Sequence, residues 1–193
     1  MKHLSIAALT IAALSACATA PEVLPFDVFE VPASAETDPI ISTGDRADDP
    51  AVWVNPSDPA QSLILGTDKD AGLYVYDLEG KQVQFLKVGR VNNVDVHGHF
   101  AVASNDETGA LSWVEFTGMA SQPVKHLGDT PVTKVEPYGA CLGEDEKGLI
   151  GAATYKDGAV QLWRADLSDP SNIKASLERT IKLPSQLEGC VFD

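Results

Sequence analysis

Short runs of apolar and β-branched residues, separated by turn residues, recur along most of the chain. Residues 51–54 (AVWV) and 63–65 (LIL) flank a cluster of Asn, Pro, Ser and Asp at 55–59, which favours two strands joined by a turn. Outside an N-terminal apolar stretch, no segment keeps the 3.6-residue spacing of an amphipathic helix. The pattern therefore predicts an all-β protein in which helix is a minor component.

The strand pattern is itself repeated. A small polar or acidic element followed by apolar residues begins at Asp49, Asn93, Gly139 and Gly189, so that successive starts are 44, 46 and 50 residues apart. Each of the first three units also contains a polar hairpin that ends in glycine and leads into an alternating strand. These hairpins are residues 67–72, 104–109 and 154–158. A strand repeat of about 40 to 50 residues is typical of a four-stranded β-propeller blade. The sequence thus predicts three blades and the first strand of a fourth.

The N-terminal region has the features of an export signal. Residues 4–14 form an apolar stretch of 11 residues, too short to span a bilayer, and residues 14–17 (LSAC) form a lipobox that would make Cys17 the acylated first residue. The alternative is a signal peptide cleaved after residues 18–20 (ATA). Both predict export, as an outer-membrane lipoprotein or as a periplasmic or secreted protein. The predicted divisions are 1–17 as signal peptide and lipobox, 18–35 as tether and 36–193 as a partial propeller domain.

Charge and cysteine content narrow the range of partners. The chain carries 28 acidic and 14 basic residues and a formal net charge of −14, so nucleic acid is not an expected partner. Beyond Cys17, the two cysteines are Cys141 and Cys190. An oxidising compartment permits a disulfide between them, and two buried free thiols on neighbouring strands fit the sequence equally well.

Propeller geometry brings polar residues of different blades to one end of a central channel, where the innermost strands begin. In this repeat the strand starts carry Asp48 and Asp49, Asn92 to Asp95, Tyr138 and Glu188. The hairpin residues at equivalent places, which should ring the same channel mouth, are Lys69, Asp106 and Lys156. Carboxylates inside a ring of cations suit a calcium cluster that receives phosphate groups.

Three segments resemble the β-propeller phytases, a family of calcium-dependent phosphatases: residues 48–53 (DDPAVW), 67–80 (TDKDAGLYVYDLEG) and 92–96 (NNVDV). The resemblance implies a six-bladed propeller, of which about three blades are present here. It also implies an exported, calcium-dependent 3-phytase-like hydrolase that releases phosphate from phytate, myo-inositol hexakisphosphate. Calcium ions would lie between the acidic protein and its polyanionic substrate and would bridge the phosphate and the attacking water.

The resemblance also assigns roles to individual residues. The calcium ligands that it implies are Glu36, Asp48, Asp49, Glu188 and the backbone carbonyls of Pro50 and Val94. The residues that would hold substrate phosphates are Lys69, Tyr138 and Lys156. Lys69 and Glu188 are the expected catalytic residues, with Lys69 offsetting charge on the phosphoryl oxygens.

Two departures from the family pattern reduce the expected activity. Asp106 and His97 stand where the family usually has arginine, and Asp106 reverses the charge. The family's further calcium-binding carboxylates lie in blades beyond those present here, so the resemblance implies weak hydrolysis by these blades alone. One alternative is a non-catalytic binding or scaffold propeller. Another is a different calcium-dependent propeller hydrolase such as a lactonase, since a fold does not dictate a reaction.

Overall fold

The computed structural model describes residues 29–133 and 136–192. Residues from Ser34 onward form one compact unit, and residues 29–33 before it have no regular secondary structure. The predicted signal peptide, the lipobox and most of the predicted tether lie outside the described residues. Within the described ranges, no helix is long and apolar enough to cross a membrane.

The described residues form three antiparallel sheets of four strands each, which confirms the all-β propeller prediction. The first sheet consists of β1 (Ala47–Trp53), β2 (Leu63–Asp68), β3 (Gly72–Tyr76) and β4 (Gln82–Leu86). The second consists of β5 (Val91–His97), β6 (Phe100–Asn105), β7 (Ala110–Phe116) and β8 (Val124–Pro131). The third consists of β9 (Gly139–Asp145), β10 (Gly148–Thr154), β11 (Ala159–Asp166) and β12 (Lys174–Lys182). A short 3-10 turn, Pro59–Gln61, lies between β1 and β2.

Each sheet is a meander in which strands pair in chain order, as in a propeller blade. The first strand of the second blade, β5, contacts the first strands of both other blades, so β1, β5 and β9 lie side by side as the innermost strands. These three strands follow the predicted repeat, since its first three starts fall in or at the start of β1, β5 and β9.

The strand register places the predicted hairpins beside the starts of the innermost strands. The start of β1 pairs with the end of β2 through Ala47 and Asp68, and the β2–β3 turn follows directly. The same arrangement recurs where β5 pairs with β6 and where β9 pairs with β10. The three starts and three turns therefore lie at one end of the blades. We call this end the channel mouth and define it as residues 47–50, 69–71, 90–94, 106–109, 138–140, 155–158 and 188, the last of which contacts Gly139 and Thr154.

Aromatic and aliphatic side chains fill the spaces between neighbouring blades. One cluster joins the first and second blades and contains Trp53, whose ring stacks on that of Phe116 with centroids 4.7 Å apart. A second cluster joins the second and third blades around Trp113, which is fully buried and donates from Nε1 to Thr130 Oγ1 at 3.0 Å. A buried tryptophan whose N–H is hydrogen-bonded stabilises such an interface without leaving that polar group unpaired.

The fourth repeat differs from the prediction. Residues 189–192 have the expected apolar pattern but form no strand. A strand requires ladder hydrogen bonds, and no strand after β12 among the described residues pairs with this segment. The segment is nevertheless held against the third blade, because a disulfide joins Cys141 of β9 to Cys190. The disulfide decides between the two alternatives that the sequence left open.

Candidate functional site

A buried hydroxyl at the end of each blade's second strand connects that blade to the next segment of the chain. Thr67 Oγ1 donates to the carbonyl oxygen of Asn92 at 2.9 Å, and Ser104 Oγ donates to that of Tyr138 at 3.5 Å. Thr154 Oγ1 donates to the carbonyl oxygen of Glu188 at 2.6 Å. These hydroxyls are 0–1 % exposed, and a buried hydroxyl requires a partner. These three hydrogen bonds fix the backbone of Asn92, Tyr138 and Glu188, which lie at or just before the start of the next innermost segment.

Side-chain oxygens of the innermost strands form a second set of contacts between blades. Asp49 Oδ2 accepts a hydrogen bond from the backbone N–H of Val94 at 2.9 Å. Asp95 Oδ2 accepts one from the N–H of Leu142 at 2.8 Å. Asp49 and Asp95 thereby hold β1 to β5 and β5 to β9. One expected calcium ligand, Asp49, is also part of the framework.

Asp49 lies where several carboxylates converge. Burial raises the pKa of the Asp49 carboxyl, the Val94 N–H opposes that shift, and the charges of Asp48, Asp95 and Glu188 raise the pKa further. Asp49 also lines a cavity of about 270 Å³ whose other walls include Pro50 and Val94. The structure therefore brings five of the six predicted calcium ligands to one region.

Lys69 lies in the β2–β3 turn with its ammonium between two carboxylates. Its Nζ is 3.2 Å from Asp48 Oδ1 and 3.5 Å from Asp45 Oδ2. The hydrogen bond to Asp48 is the main cause that raises the pKa of Lys69. The turn itself is fixed by the Lys69 N–H, which donates to the carbonyl of Arg46 at 3.0 Å. Lys69 is thus charged and paired at the channel mouth.

Tyr138 and Lys156, both predicted to hold phosphate, contact each other. The Lys156 ammonium lies 4.1 Å from the centroid of the Tyr138 ring, a cation–π contact between the start of β9 and the β10–β11 turn. The Tyr138 N–H donates to the carbonyl of Thr154 at 2.8 Å, which fixes the backbone below the ring. Lys156 is exposed.

Asp106 occupies the equivalent turn of the second blade. Its Oδ2 accepts a hydrogen bond from Asn92 Nδ2 at 2.8 Å, whereas Oδ1 is buried and has no hydrogen-bond partner within the described ranges. Burial raises the pKa of Asp106, while the Asn92 amide and the charges of Arg90 and Lys156 act in the opposite direction. Asp106 therefore places a negative charge beside two cations of the channel mouth.

Arg90 is a cation of the channel mouth that the sequence reasoning missed. Its Nε donates to the carbonyl of Lys69 at 3.3 Å, and its own carbonyl accepts from the N–H of Asp106 at 2.8 Å. The side chain is exposed. The sequence did contain a signal for this cation, because Arg90 directly precedes β5. The repeat alone does not align Arg90 with Lys69 or Lys156.

Glu188 is positioned through its backbone. Its carbonyl accepts the Thr154 hydroxyl and also lies directly against the Cα of Gly139, where a Cβ atom would collide with it. Only glycine at position 139 allows so close an approach. The Glu188 side chain is exposed, and its negative charge helps to raise the pKa of Asp49.

Two residues singled out from the sequence lie away from the channel mouth. Asp38, two residues after Glu36, donates its N–H to the carbonyl of Gly80 in the β3–β4 turn, and the Glu36 carbonyl touches the same glycine. That turn is at the opposite end of the blade, whereas Thr37 to Ile40, which follow Glu36, line a cavity with Asp48 and Asp49. The Glu36 backbone therefore lies away from the channel mouth, and its role as a calcium ligand stays a prediction. His97 is the last residue of β5 and lies 3.5 Å from Glu144 near the end of β9, also at the far end.

The donor set of the channel mouth suits a hard divalent cation. Asp49 Oδ1 accepts no hydrogen bond from a described residue, and Asp48, Asp95 and Glu188 add negative charge around it. Carboxylate and carbonyl oxygens are the ligands that calcium prefers. In the part of the chain that the structure describes, however, no three His, Cys, Asp or Glu side chains already have the arrangement of a metal site. The donor types fit calcium chemically, and calcium binding here stays a prediction.

Comparisons with known proteins give the family and the fold. The family model of the phytases matches residues 1–112. The 3-phytase of Bacillus subtilis (strain 168) is 33% identical, over 86% of this chain and 47% of that protein. The chain thus spans about half the length of this curated relative.

Solved structures show the likeness of the fold alone. Hydrazine synthase of Kuenenia stuttgartiensis has a TM-score of 0.52 at 15% identity, over 76% of this chain and 39% of that one. Sqt1 of Chaetomium thermophilum has a TM-score of 0.54 at 19% identity, over 74% of this chain and 39% of that one. The match of the family model to more than half of the chain, together with the geometry of the blades, shows that this protein belongs to the phytase family.

Proposed function

We propose that this protein is a calcium-dependent phosphomonoester hydrolase whose substrate is phytate, and that the channel mouth is its active site. The observation that carries the proposal is the pair of neighbouring carboxylates Asp48 and Asp49, with Asp48 bound to Lys69 and Asp49 sharing a cavity with Gly189, next to Glu188, in a chain that is similar to a 3-phytase. A protein with a net charge of −14 binds a polyanion poorly unless cations lie between them.

The proposed calcium ligands are Asp48, Asp49, Glu188 and the carbonyls of Pro50 and Val94. Bound calcium would supply Lewis-acid stabilisation of the phosphoryl group and would favour deprotonation of water. Glu36 is not included, because its backbone lies against the β3–β4 turn.

The chain's own cations would orient the substrate. Lys69 and Lys156 lie in equivalent turns of the first and third blades and would bind separate phosphates of the inositol ring, with Tyr138 fixing the position of the Lys156 ammonium. Lys69 would offset the negative charge that the phosphoryl oxygens carry during transfer to water, which is its proposed catalytic role. The Thr154 hydroxyl would hold the Glu188 backbone in place beside this site.

The test is phosphate release from phytate by the full-length protein, with calcium and with excess chelator. We expect release that requires calcium, and a loss of more than about tenfold in the double variant Asp48→Asn/Asp49→Asn. Asp58→Asn is the matched control, because Asp58 caps the 3-10 turn at the other end of the blade and asparagine also caps well. Release that persists in chelator, or its absence with calcium present, would contradict the proposal.

A binding or scaffold propeller without catalysis is the second candidate. It is favoured by Asp106, whose charge lies beside Arg90 and Lys156 and weakens the attraction of the channel mouth for phosphate. Calcium-dependent binding of phytate without turnover would support this candidate over the hydrolase.

We also propose that the protein is exported and anchored by a lipid on Cys17. The lipobox at residues 14–17 and the Cys141–Cys190 disulfide, which suits an oxidising compartment, support this location. Metabolic labelling with palmitate should mark the wild-type protein and not Cys17→Ser. Equal labelling of both proteins would argue against the anchor.

A further inference from the structure

Lys69 and Asp48 are both assigned to the proposed site, yet they are bound to each other. The Lys69 ammonium is 3.2 Å from Asp48 Oδ1, and their side chains are 22% and 29% exposed. Asp45, the second partner of Lys69, is 3.5 Å away and 96% exposed. The closer and less exposed carboxylate is therefore the principal partner of the lysine.

One carboxylate oxygen cannot serve an ammonium and a divalent cation equally well. A calcium ion on Asp48 would neutralise the charge that attracts Lys69 and would repel the ammonium at the same time. Asp45 is too exposed to hold the lysine strongly by itself, since ion pairs in water contribute little. A lysine released from Asp48 would be free to meet a phosphate oxygen.

Lys156 provides a comparison within the same molecule. It occupies the equivalent turn of the third blade, but its ammonium lies over the Tyr138 ring and not on a proposed calcium ligand. Calcium binding would leave the contact with this ring in place. Of the two predicted phosphate-binding lysines, only Lys69 is held by a carboxylate that the metal would need.

We propose that Lys69 is an internal competitor for the calcium site: it occupies Asp48 until calcium displaces it, and the displaced ammonium then binds phosphate. Calcium and phosphate binding are thereby coupled through one ion pair, and calcium binds first. The proposal rests on the proposed function, because it takes Asp48 as a calcium ligand. Beyond that function, the proposal states that Lys69 lowers the affinity of the site for calcium, just as calcium weakens the binding of Lys69 to Asp48.

The experiment is a calorimetric titration of the full-length protein with calcium alone, for wild type, Lys69→Met and Lys156→Met. Both substitutions remove one positive charge from the channel mouth and keep a long apolar side chain. We expect Lys69→Met to bind calcium about two- to fivefold more tightly than Lys156→Met, the factor that corresponds to loss of a partly exposed ion pair. Equal affinities, or weaker binding by Lys69→Met, would overturn the proposal.

A second measurement uses the wild-type protein and does not depend on the folding of a variant. Limited acetylation with an activated ester, followed by mass spectrometry, reports how accessible each amine is. We expect acetylation of Lys69 to be faster with calcium than with chelator, by about the same two- to fivefold, while that of Lys156 stays constant. An unchanged or slower rate at Lys69 would contradict displacement.

The calcium-dependent function and the competition by Lys69 are contradicted by different results. If the wild-type protein takes up no calcium, the calcium-dependent function is wrong and the competition falls with it. If the wild-type protein binds calcium and Lys69→Met gains nothing over Lys156→Met, only the competition is wrong.

Discussion

Asp49 combines a framework contact with a place in the proposed calcium site. One carboxylate oxygen holds the N–H of Val94, 45 positions further along the chain, and the other accepts no hydrogen bond from a described residue. The sequence placed Asp49 correctly at the start of a strand, because Pro50 after it favours extended backbone. It could not show the contact with Val94, since that contact depends on how two blades are packed.

The residues that sequence reasoning missed or placed differently share a physical cause. Arg90 reaches the channel mouth because its backbone pairs with Asp106 in the next turn, a contact that the repeat does not encode. Glu36 was grouped with Asp48 through the resemblance alone. The Glu36 carbonyl lies against Gly80 in the β3–β4 turn, and further along the chain Ile41 donates its N–H to the Tyr74 hydroxyl. No periodicity in the sequence indicates this path of the backbone.

At the residue scale, Asp106 offers a test of the electrostatics. Asp106→Asn keeps the size of the side chain and removes a negative charge beside Arg90 and Lys156. We expect the affinity for inorganic phosphate, measured with calcium present, to rise about two- to fivefold. The control is Glu107→Gln, which removes an exposed charge from the same turn. An equal gain in both variants would show a general effect of net charge, and no gain in Asp106→Asn would contradict the local account.

At the scale of elements, equivalent hydroxyls link each blade to the next segment. Thr67, Ser104 and Thr154 end β2, β6 and β10 or lie one residue from the end, and each donates to a backbone carbonyl of the following segment. The strands and turns could be predicted, since alternation and glycine mark them in the sequence. The hydroxyl contacts could not, because threonine and serine at a strand end are also common without such a partner.

Thr154 is the clearest of these contacts to test. Thr154→Val keeps the branched shape and leaves the Glu188 carbonyl without its donor, at a cost of about 1 to 2 kcal/mol. For a chain of this size we expect the Tm to fall by roughly 2 to 8 °C. Thr154→Ser retains the hydroxyl and should unfold close to the wild-type temperature. Thermal unfolding with the same Tm for Val and Ser at this position would show that the hydrogen bond is unimportant.

At the scale of the whole molecule, the repeat predicted three blades, and the three sheets confirm it. The pattern at 189–192 was correctly recognised as blade-like but forms no strand in the described residues, because apolar alternation does not supply a partner strand. The disulfide attaches this segment to β9 instead. Spacing alone could not decide whether Cys141 and Cys190 pair, whereas the structure places their Cα atoms 5.7 Å apart, within the usual range of disulfides.

The disulfide closes a loop with a sequence separation of 49 residues. In the chain-entropy model, such a loop stabilises the folded state by about 4 kcal/mol. We expect reductant to lower the urea midpoint of the wild-type protein and to leave that of Cys141→Ser/Cys190→Ser unchanged. If reductant has no effect on the wild-type midpoint, the disulfide does not contribute to stability.

The proposed activity depends on carboxylates from neighbouring blades that hold calcium at the channel mouth. Anomalous diffraction from crystals of the full-length protein grown with calcium tests this directly. The account predicts a calcium peak beside Asp48, Asp49 and Glu188, with oxygen ligands at about 2.3 to 2.6 Å. Crystals with no calcium at these residues, or with calcium only at the opposite end of the blade near Glu36, would contradict it.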